Sequence, residues 1–296
     1  MKRVVKVKNV AKAYDNKFVL KQVGFEIKKG ELVALLGKNG AGKSTLLNVL
    51  LQLTPKDQGE IEILGERRLK TEALGVMFQE DFVLERVTVK EIIELWRSYY
   101  PKSKSYAELI KIAGLVEKSN VLINKLSGGQ RRRLYFALCL AGDPDLIILD
   151  EPTVGMDLES RQAFWHQIKK LQAAGKTFLI TSHYLEELQN IAQRFLILQD
   201  GCITFAGTLQ DLQQKYQKVT VRFRSSLKPS FFRKLAGVVQ LQSEVGNYTL
   251  QTTKLNEFLK QLAPYLEELE DLNIEQGTLN ELFLEITGGD SDVLSK

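Results

Sequence analysis

The sequence predicts an α/β fold followed by a small α+β unit, and three stretches carry that prediction. The first runs Leu32-Val33-Ala34-Leu35-Leu36, then Gly37-Lys38-Asn39-Gly40-Ala41-Gly42-Lys43-Ser44-Thr45, then Leu46-Leu47-Asn48-Val49-Leu50. That pattern reads as a buried strand, a glycine loop and a helix. The second is a pair of short apolar runs, Leu146-Ile147-Ile148-Leu149 and Phe178-Leu179-Ile180, which end in the polar residues Asp150-Glu151 and Ser182-His183. Runs this short and this apolar suit strands of a sheet covered on both faces. The third is the stretch 218–276, where strand-like alternation and helical periodicity take turns.

The 296 residues suffice for one large domain or two smaller ones, and 44% hydrophobic with 26% charged residues is a globular composition. Cys139 and Cys202 are the only cysteines, and His166 and His183 the only histidines. Those numbers argue against a disulfide framework and against a zinc site. No run is long and apolar enough to span a membrane. The opening Met1-Lys2-Arg3-Val4-Val5-Lys6 alternates basic and apolar residues, which reads as a strand rather than a signal peptide. A cytoplasmic protein is expected. A net charge of +5 permits contact with anionic lipid or nucleic acid but is ordinarily solvated surface.

The spacing G-x-x-x-x-G-K-S at 37–44 is that of a phosphate-binding loop. Glycines let backbone N–H groups turn inward around phosphate oxygens, and the following helix directs its partial positive charge at the same anion. Lys43 adds a full charge, and Ser44 offers a hydroxyl to a magnesium ion.

Taken in order, residues 4–10 and 22–28 read as short strands around an Asp15-Asn16 turn, with Tyr14 just before it. Gly59 to Gly65 encloses a half-exposed strand, and 75–79 is a short buried strand ending at Gln79. Residues 88–118 turn helical, with periodic stretches at 89–96 and 105–113. Leu126-Ser127-Gly128-Gly129-Gln130 then opens a helix, and Ser127 with Gln130 three residues on is a capping box. A serine cap, two glycines and a helix N-terminus make a second potential anion site. Asp150 and Glu151 at a buried strand end are costly to desolvate. Beside a phosphate loop they suit a magnesium ion and a general base respectively. Asp157 precedes a helix over 158–174, and His183 stands at the end of the next strand.

Over residues 1–217 this set resembles the nucleotide-binding subunit of an ATP-binding cassette (ABC) transporter. In that resemblance Tyr14 is the adenine-stacking aromatic, and Walker A contributes Gly37, Asn39, Gly40, Ala41, Gly42, Lys43, Ser44 and Thr45. Gln79 is the Q-loop residue, and Leu126-Ser127-Gly128-Gly129-Gln130 matches the family signature letter for letter. Walker B ends at Asp150, Glu151 is the catalytic glutamate, Asp157 belongs to the D-loop, and His183 is the switch histidine. The implied fold is a P-loop NTPase cassette, a mixed sheet with a helical subdomain at about 82–140. The implied ligands are ATP and Mg²⁺. Glu151, His183, Lys43 and Gln79 would act in hydrolysis, and Ser44, Gln79 and Asp150 would hold the metal. Ser127, Gly128, Gly129, Gln130 and Asp157 would meet nucleotide across a dimer of two copies.

The resemblance also implies a separate transmembrane permease, with docking expected near Gln79, the 88–118 helices, Glu85 and Arg86. That places the subunit on the inner face of the cell membrane. Lys38 departs from the more usual proline of Walker A, at a variable position. The loop Val154-Gly155-Met156-Asp157 and the tail at 277–288 resemble drug-resistance exporters. A non-transport ABC ATPase acting on nucleic acid or the ribosome is the rival reading. Such chains usually carry two cassettes, a coiled coil or zinc ligands, none of which is present, so no nucleic-acid partner is expected. From 218 to 290 the order βαββαβ plus a helix fits a ferredoxin-like accessory domain. It includes an expected hairpin turn at Gly246-Asn247, a helix over 255–266 capped by Thr253, and a helix over 279–286. Residues 291–296 read as a flexible polar tail.

Overall fold

The computed structural model describes residues 2–69, 71–80, 84–182, 185–216, 218–277 and 286. His183, the helix expected over most of 279–286 and the tail at 291–296 therefore lie outside the described residues. The chain folds as two compact units, parting between Thr208 and Leu209.

In the first unit, β1 (Arg3–Tyr14) and β2 (Lys17–Lys28) form an antiparallel ribbon around Asp15 and Asn16, at φ 47° and 63°. Two consecutive left-handed residues make the tight hairpin turn whose twist matches its strands. Both strands are longer than the sequence pattern predicts. Register shifts near Asn9 (φ 50°) and Gln22 (φ 52°) interrupt the apolar alternation, so each strand reads as a shorter one. β3 (Leu32–Leu36) is wholly buried and leads through the glycine loop into α1 (Lys43–Leu50). β4 (Gln58–Ile63) pairs with β1 and completes a three-stranded antiparallel sheet, β2-β1-β4.

β5 (Leu74–Met77) stops short of the predicted Gln79, leaving Phe78 and Gln79 exposed beyond the strand end. A helical stretch follows, α2 (Val89–Ser98), α3 (Tyr106–Ala113) and α4 (Gly128–Cys139). Then come β6 (Leu146–Asp150), α5 (Leu158–Ala173), β7 (Thr177–Ser182), α6 (Leu185–Leu188), β8 (Arg194–Gln199) and β9 (Cys202–Gly207). These strands build a six-stranded sheet in the order β5-β6-β7-β3-β8-β9. Every neighbouring pair is parallel except β8-β9, so the sheet is mixed.

Helix α1 lies between the two sheets. Its Leu46, Leu47, Val49 and Leu50 share one core with Val5, Val7 and Ile61 of the antiparallel sheet and Val33, Leu35, Ile148 and Leu179 of the mixed one. Each such side chain contributes about 1.5–3 kcal/mol by leaving water. α1 is thus held by burial around its length, and its N-terminus is presented at the sheet edge. Along that edge Met77 pairs with Leu149, Asp150 with Thr181, and Leu36 with Ser182. The parallel strands therefore end in line, and the loops after β5, β6, β7 and β3 emerge side by side. Ligands of such sheets bind at this carboxyl edge.

The second unit begins with α7 (Leu209–Tyr216). It continues with β10 (Val219–Ser225), α8 (Pro229–Phe232), β11 (Val238–Glu244), β12 (Asn247–Thr252), α9 (Leu255–Leu262) and β13 (Leu269–Gln276). Its antiparallel sheet has the order β11-β12-β10-β13. Val221, Phe223, Tyr248 and Leu250 alternate onto one face and pack with Phe232 and Phe258 from the helices. Two local expectations are corrected. The hairpin turns at Val245-Gly246 (φ 39° and 80°), with Asn247 already in β12. Helix α9 ends at Leu262 in a 3-10 stretch containing Pro264, and Thr253 does not cap it. Proline cannot donate to the helical ladder, and Thr252 takes up the Lys254 N–H instead.

Candidate functional site

The glycine loop leaves β3 at the centre of the mixed sheet. Gly37 is packed so closely that a Cβ there would lie 2.6 Å from the Leu198 carbonyl oxygen. Gly42 adopts φ 104° against the Val19 carbonyl, a conformation that favours glycine and turns the chain into α1. The helix starts without a side-chain cap, so its first N–H groups are not taken by its own N-cap. Lys43 is buried and folds back over the loop. Its Nζ donates to the Gly37 carbonyl at 2.7 Å and lies 3.6 Å from Glu151 Oε1.

Two strands away, beyond β7, the end of β6 presents Asp150 and Glu151. Asp150 Oδ2 is 3.5 Å from Ser44 Oγ, and the Thr181 hydroxyl on β7 donates to Oδ1. Burial pushes the Asp150 carboxyl above the usual carboxylate range, against the Thr181 hydrogen bond that lowers it. Glu151 is also buried, at φ 47°. A non-glycine residue held in this region costs on the order of 1–3 kcal/mol and persists where surrounding bonds fix it. Here the Thr181 hydroxyl accepts the Glu151 N–H at 2.9 Å, and Arg132 donates to the Glu151 carbonyl at 2.7 Å. A lysine ammonium, a helix start, a hydroxyl and two carboxylates thus converge where a polyphosphate and a divalent cation would be held. The Ser44 hydroxyl beside a buried carboxylate fits Mg²⁺, which takes few protein ligands and keeps waters and phosphate oxygens for the rest.

Gln79 emerges on the same edge, two residues beyond β5, with its backbone carbonyl accepting from Arg132 at 3.0 Å. Tyr14 ends β1 and is 44% exposed. Lys12 Nζ lies over that ring, 5.3 Å from its centroid, and is held 2.9 Å from Asp57. The Lys12 hydrogen bond, with the Ala13 N–H beside it, keeps the Asp57 carboxyl below its usual range.

The residues of the Ser127–Gln130 stretch form a second cluster. The Ser127 hydroxyl accepts the Gln130 N–H at 3.3 Å, and the Gln130 side chain accepts the Ser127 N–H at 3.1 Å. This is the predicted capping box, with Lys118 donating to the same Gln130 oxygen at 3.1 Å. Gly129 faces Met156 and Ser160, where a Cβ would stand 3.8 and 3.5 Å away. Ser160 is bonded to Asp157, which caps α5 by accepting the Ser160 N–H at 2.7 Å. Gly128 precedes Gly129 at the helix start, so the signature residues and Asp157 lie together.

Sequence reasoning missed Thr181, Lys12, Arg132 and Glu187. Glu187 on α6 accepts from Thr153 at 2.6 Å and pairs with Arg161 at 3.0 Å, tying the loop after Glu151 to the helix after β7. Arg132 had a legible signal, because it shares a helical face with the buried Phe136 and Cys139.

Comparison with known proteins bears on this geometry. The family described as ABC transporter matches residues 20–154. Nod factor export ATP-binding protein I of Sinorhizobium fredii (strain NBRC 101917 / NGR234) is 38% identical over 67% of this chain, which spans 60% of that relative's length. Linearmycin resistance ATP-binding protein LnrL of Bacillus subtilis (strain 168) is 31% identical, over 96% of this chain and 98% of its own. Among solved structures, the post-hydrolysis dimer of the ATP-binding cassette MJ0796 bound to ADP and Pi is 31% identical, with a TM-score of 0.63. It covers 69% of this chain and 98% of its own. The chain belongs to the ABC transporter family, as one of its ATP-binding, ATPase-type subunits.

Proposed function

We propose that two copies of this chain enclose two ATP molecules head to tail and hydrolyse them to power a separate transmembrane permease, for export. The observation that carries this reading is the division of the anion-binding groups into two clusters on one chain. The loop at 37–45 with Asp150 and Glu151 forms one half-site, and Ser127, Gly128, Gly129 and Gln130 with Asp157 form the other. A second copy closes each half against its complement. The dimeric cassette structures to which the chain is similar support that arrangement.

Within one half-site, Lys43 and the backbone of Gly37, Asn39, Gly40, Ala41, Gly42 and Thr45 would cradle the phosphates. Tyr14 would stack on adenine. Ser44 and Asp150, with Gln79, would hold Mg²⁺, which when bound neutralises charge between the outer phosphates. The Glu151 carboxylate would orient and deprotonate the attacking water. Its ion pair with Lys43 holds it in place until a γ-phosphate takes the ammonium away. His183 would bond the γ-phosphate and that water. Loss of the γ-phosphate removes the charge bridging the two copies, so the interface opens.

The permease would dock on the apolar groove lined by Leu53, Leu69, Val76, Phe78, Trp96 and Tyr100, with exposed Glu85 and Arg86 nearby in sequence. Among the described residues no helix is long and apolar enough to cross a membrane. Held by its permease, the subunit would sit on the cytoplasmic face of the membrane. Exporters among the relatives support the direction of transport. The helical stretch α2–α4 would be the helical subdomain of the cassette. The C-terminal sheet is read as ferredoxin-like, because its order places the first strand between the third and fourth. It would serve dimer stability or regulation.

The test is phosphate release by the purified chain with Mg-ATP. Steady hydrolysis is expected, reduced about a hundredfold or more by Glu151→Gln. A chain that binds ATP but releases no phosphate, alone or with its permease, would sink the reading.

A further inference from the structure

Arg132 is the one member of the Arg131-Arg132-Arg133 run that is buried, at 3% exposure, and its donors leave α4 for the ends of two strands. Nη1 donates to the carbonyls of Phe78 and Gln79, both at 3.0 Å, just beyond β5. Nη2 donates to the Glu151 carbonyl at 2.7 Å, and Nε to that of Pro152 at 3.3 Å, just beyond β6. The guanidinium is a planar group with five donors in fixed directions, so it holds these carbonyls in one mutual geometry. A buried cation is costly unless its donors are satisfied, so the contacts are retained or lost together. Little more than one turn of α4 separates Arg132 from the capped start at Ser127 and Gln130.

We propose that Arg132 is a positioning residue that fixes the backbone of Gln79 and Glu151 to the helix bearing Ser127–Gln130. Nucleotide engaged at that helix start, on the neighbouring copy's loop, thereby sets the hydrolytic edge of Arg132's own subunit. This inference rests on the ATP-sandwich reading above. In the geometry here, the left-handed backbone of Glu151 is held by its N–H bond to the Thr181 hydroxyl and by the bond its carbonyl accepts from Arg132. The bond from Arg132 originates on α4, so a shift of α4 is transmitted to the Glu151 carboxylate through it.

The experiment compares the wild-type chain with Arg132→Lys and Arg132→Met. Lysine keeps the charge, but a single ammonium cannot span both strand ends. Three readouts separate positioning from folding: the apo thermal midpoint, the affinity of the monomer for a fluorescent ATP analogue without magnesium, and phosphate release against ATP concentration. The expected result for Arg132→Lys is analogue affinity within about twofold, kcat reduced about tenfold or more, and a Hill coefficient lowered to near one. A folded variant with unchanged kcat, or with reduced kcat and an unchanged Hill coefficient, overturns the proposal.

If both variants unfold, mixed dimers of wild-type and Gly129→Asp copies decide the matter. The copy with the altered signature keeps an intact site completed by its wild-type neighbour. The proposal requires that α4 be coupled to the hydrolytic edge of its own subunit, which predicts less than about one-fifth of wild-type activity; one-half, the value for independent sites, overturns it. A wild-type chain that hydrolyses ATP as a monomer is a distinct result. It sinks the sandwich reading before any variant is made, and the role of Arg132 with it.

Discussion

Helix α1 begins at Gly42 with no side-chain cap, whereas α4 begins at Ser127 inside a reciprocal box with Gln130. Helices α2 and α3 carry boxes of the same geometry, built from Thr88 with Glu91 and from Ser105 with Glu108. In those two the third residue is a carboxylate, held below its usual range chiefly by its bonds to the capping residue. In α4 it is a neutral amide, and neither α1 nor α4 has an acidic residue in its first turn. An acidic first turn is the ordinary way to stabilise a helix start. Its omission at the two starts bearing the glycine-rich motifs leaves their positive ends uncancelled. The two differ in what they would offer an anion: α1 has N–H groups and Lys43, and α4 a capped end with the Ser127 hydroxyl and the Gln130 amide.

The largest effect is expected at α1. If the proposed half-site holds ATP, Lys43→Ala should lower kcat by about 10²–10³-fold and weaken ATP binding, since it removes the full charge that would face the outer phosphates. Equilibrium ATP binding and phosphate release together check it, and unaltered binding would mean the lysine only pairs Glu151. Gln130→Glu makes the α4 box resemble those of α2 and α3. The apo thermal midpoint should stay within about 2 °C. ATP-dependent dimerisation should weaken about five- to tenfold, because a carboxylate would face the phosphates. Equal dimerisation would show that this end meets no anion.

A smaller effect is expected from Asp150→Asn. Burial raises the folded-state pKa of Asp150, so protonation favours the folded chain. That contribution is complete below the unfolded value of 3.8 and is lost as pH rises through the raised folded value. At neutral pH the ionised group is a liability without a cation. Asp150→Asn should therefore raise the apo midpoint at pH 7, the gain shrinking towards pH 4. A variant no more stable than wild type at pH 7 would contradict this. The smallest effects separate the caps themselves. Thr88→Ala and Ser127→Ala should each cost about 1 kcal/mol of stability by denaturant titration. Only Ser127→Ala should also impair ATP-dependent dimerisation.

Much of this cluster was legible because its residues are local in the chain. The glycine loop, the box at Ser127 and Gln130 and the acidic end of β6 are contiguous stretches whose residue types are unusual for their positions. What was not legible depends on contacts distant in sequence. Thr181 reads as one polar residue in a strand until the register sets it beside Asp150. Lys12 looks like surface charge until Asp57, 45 residues on, holds it over Tyr14. The C-terminal unit keeps the expected βαββαβ element order, and its strand order β11-β12-β10-β13 rests on pairings distant in sequence. The sequence predicts its turn at Gly246-Asn247 because that pair has a common turn composition, and the structure places it one residue earlier, at Val245-Gly246.

The most direct test of the two half-sites is the molar mass of Glu151→Gln by light scattering after size exclusion, with and without ATP. A monomer without nucleotide that becomes a dimer holding two ATP molecules is predicted. A chain that binds one ATP per copy and stays monomeric would contradict the account.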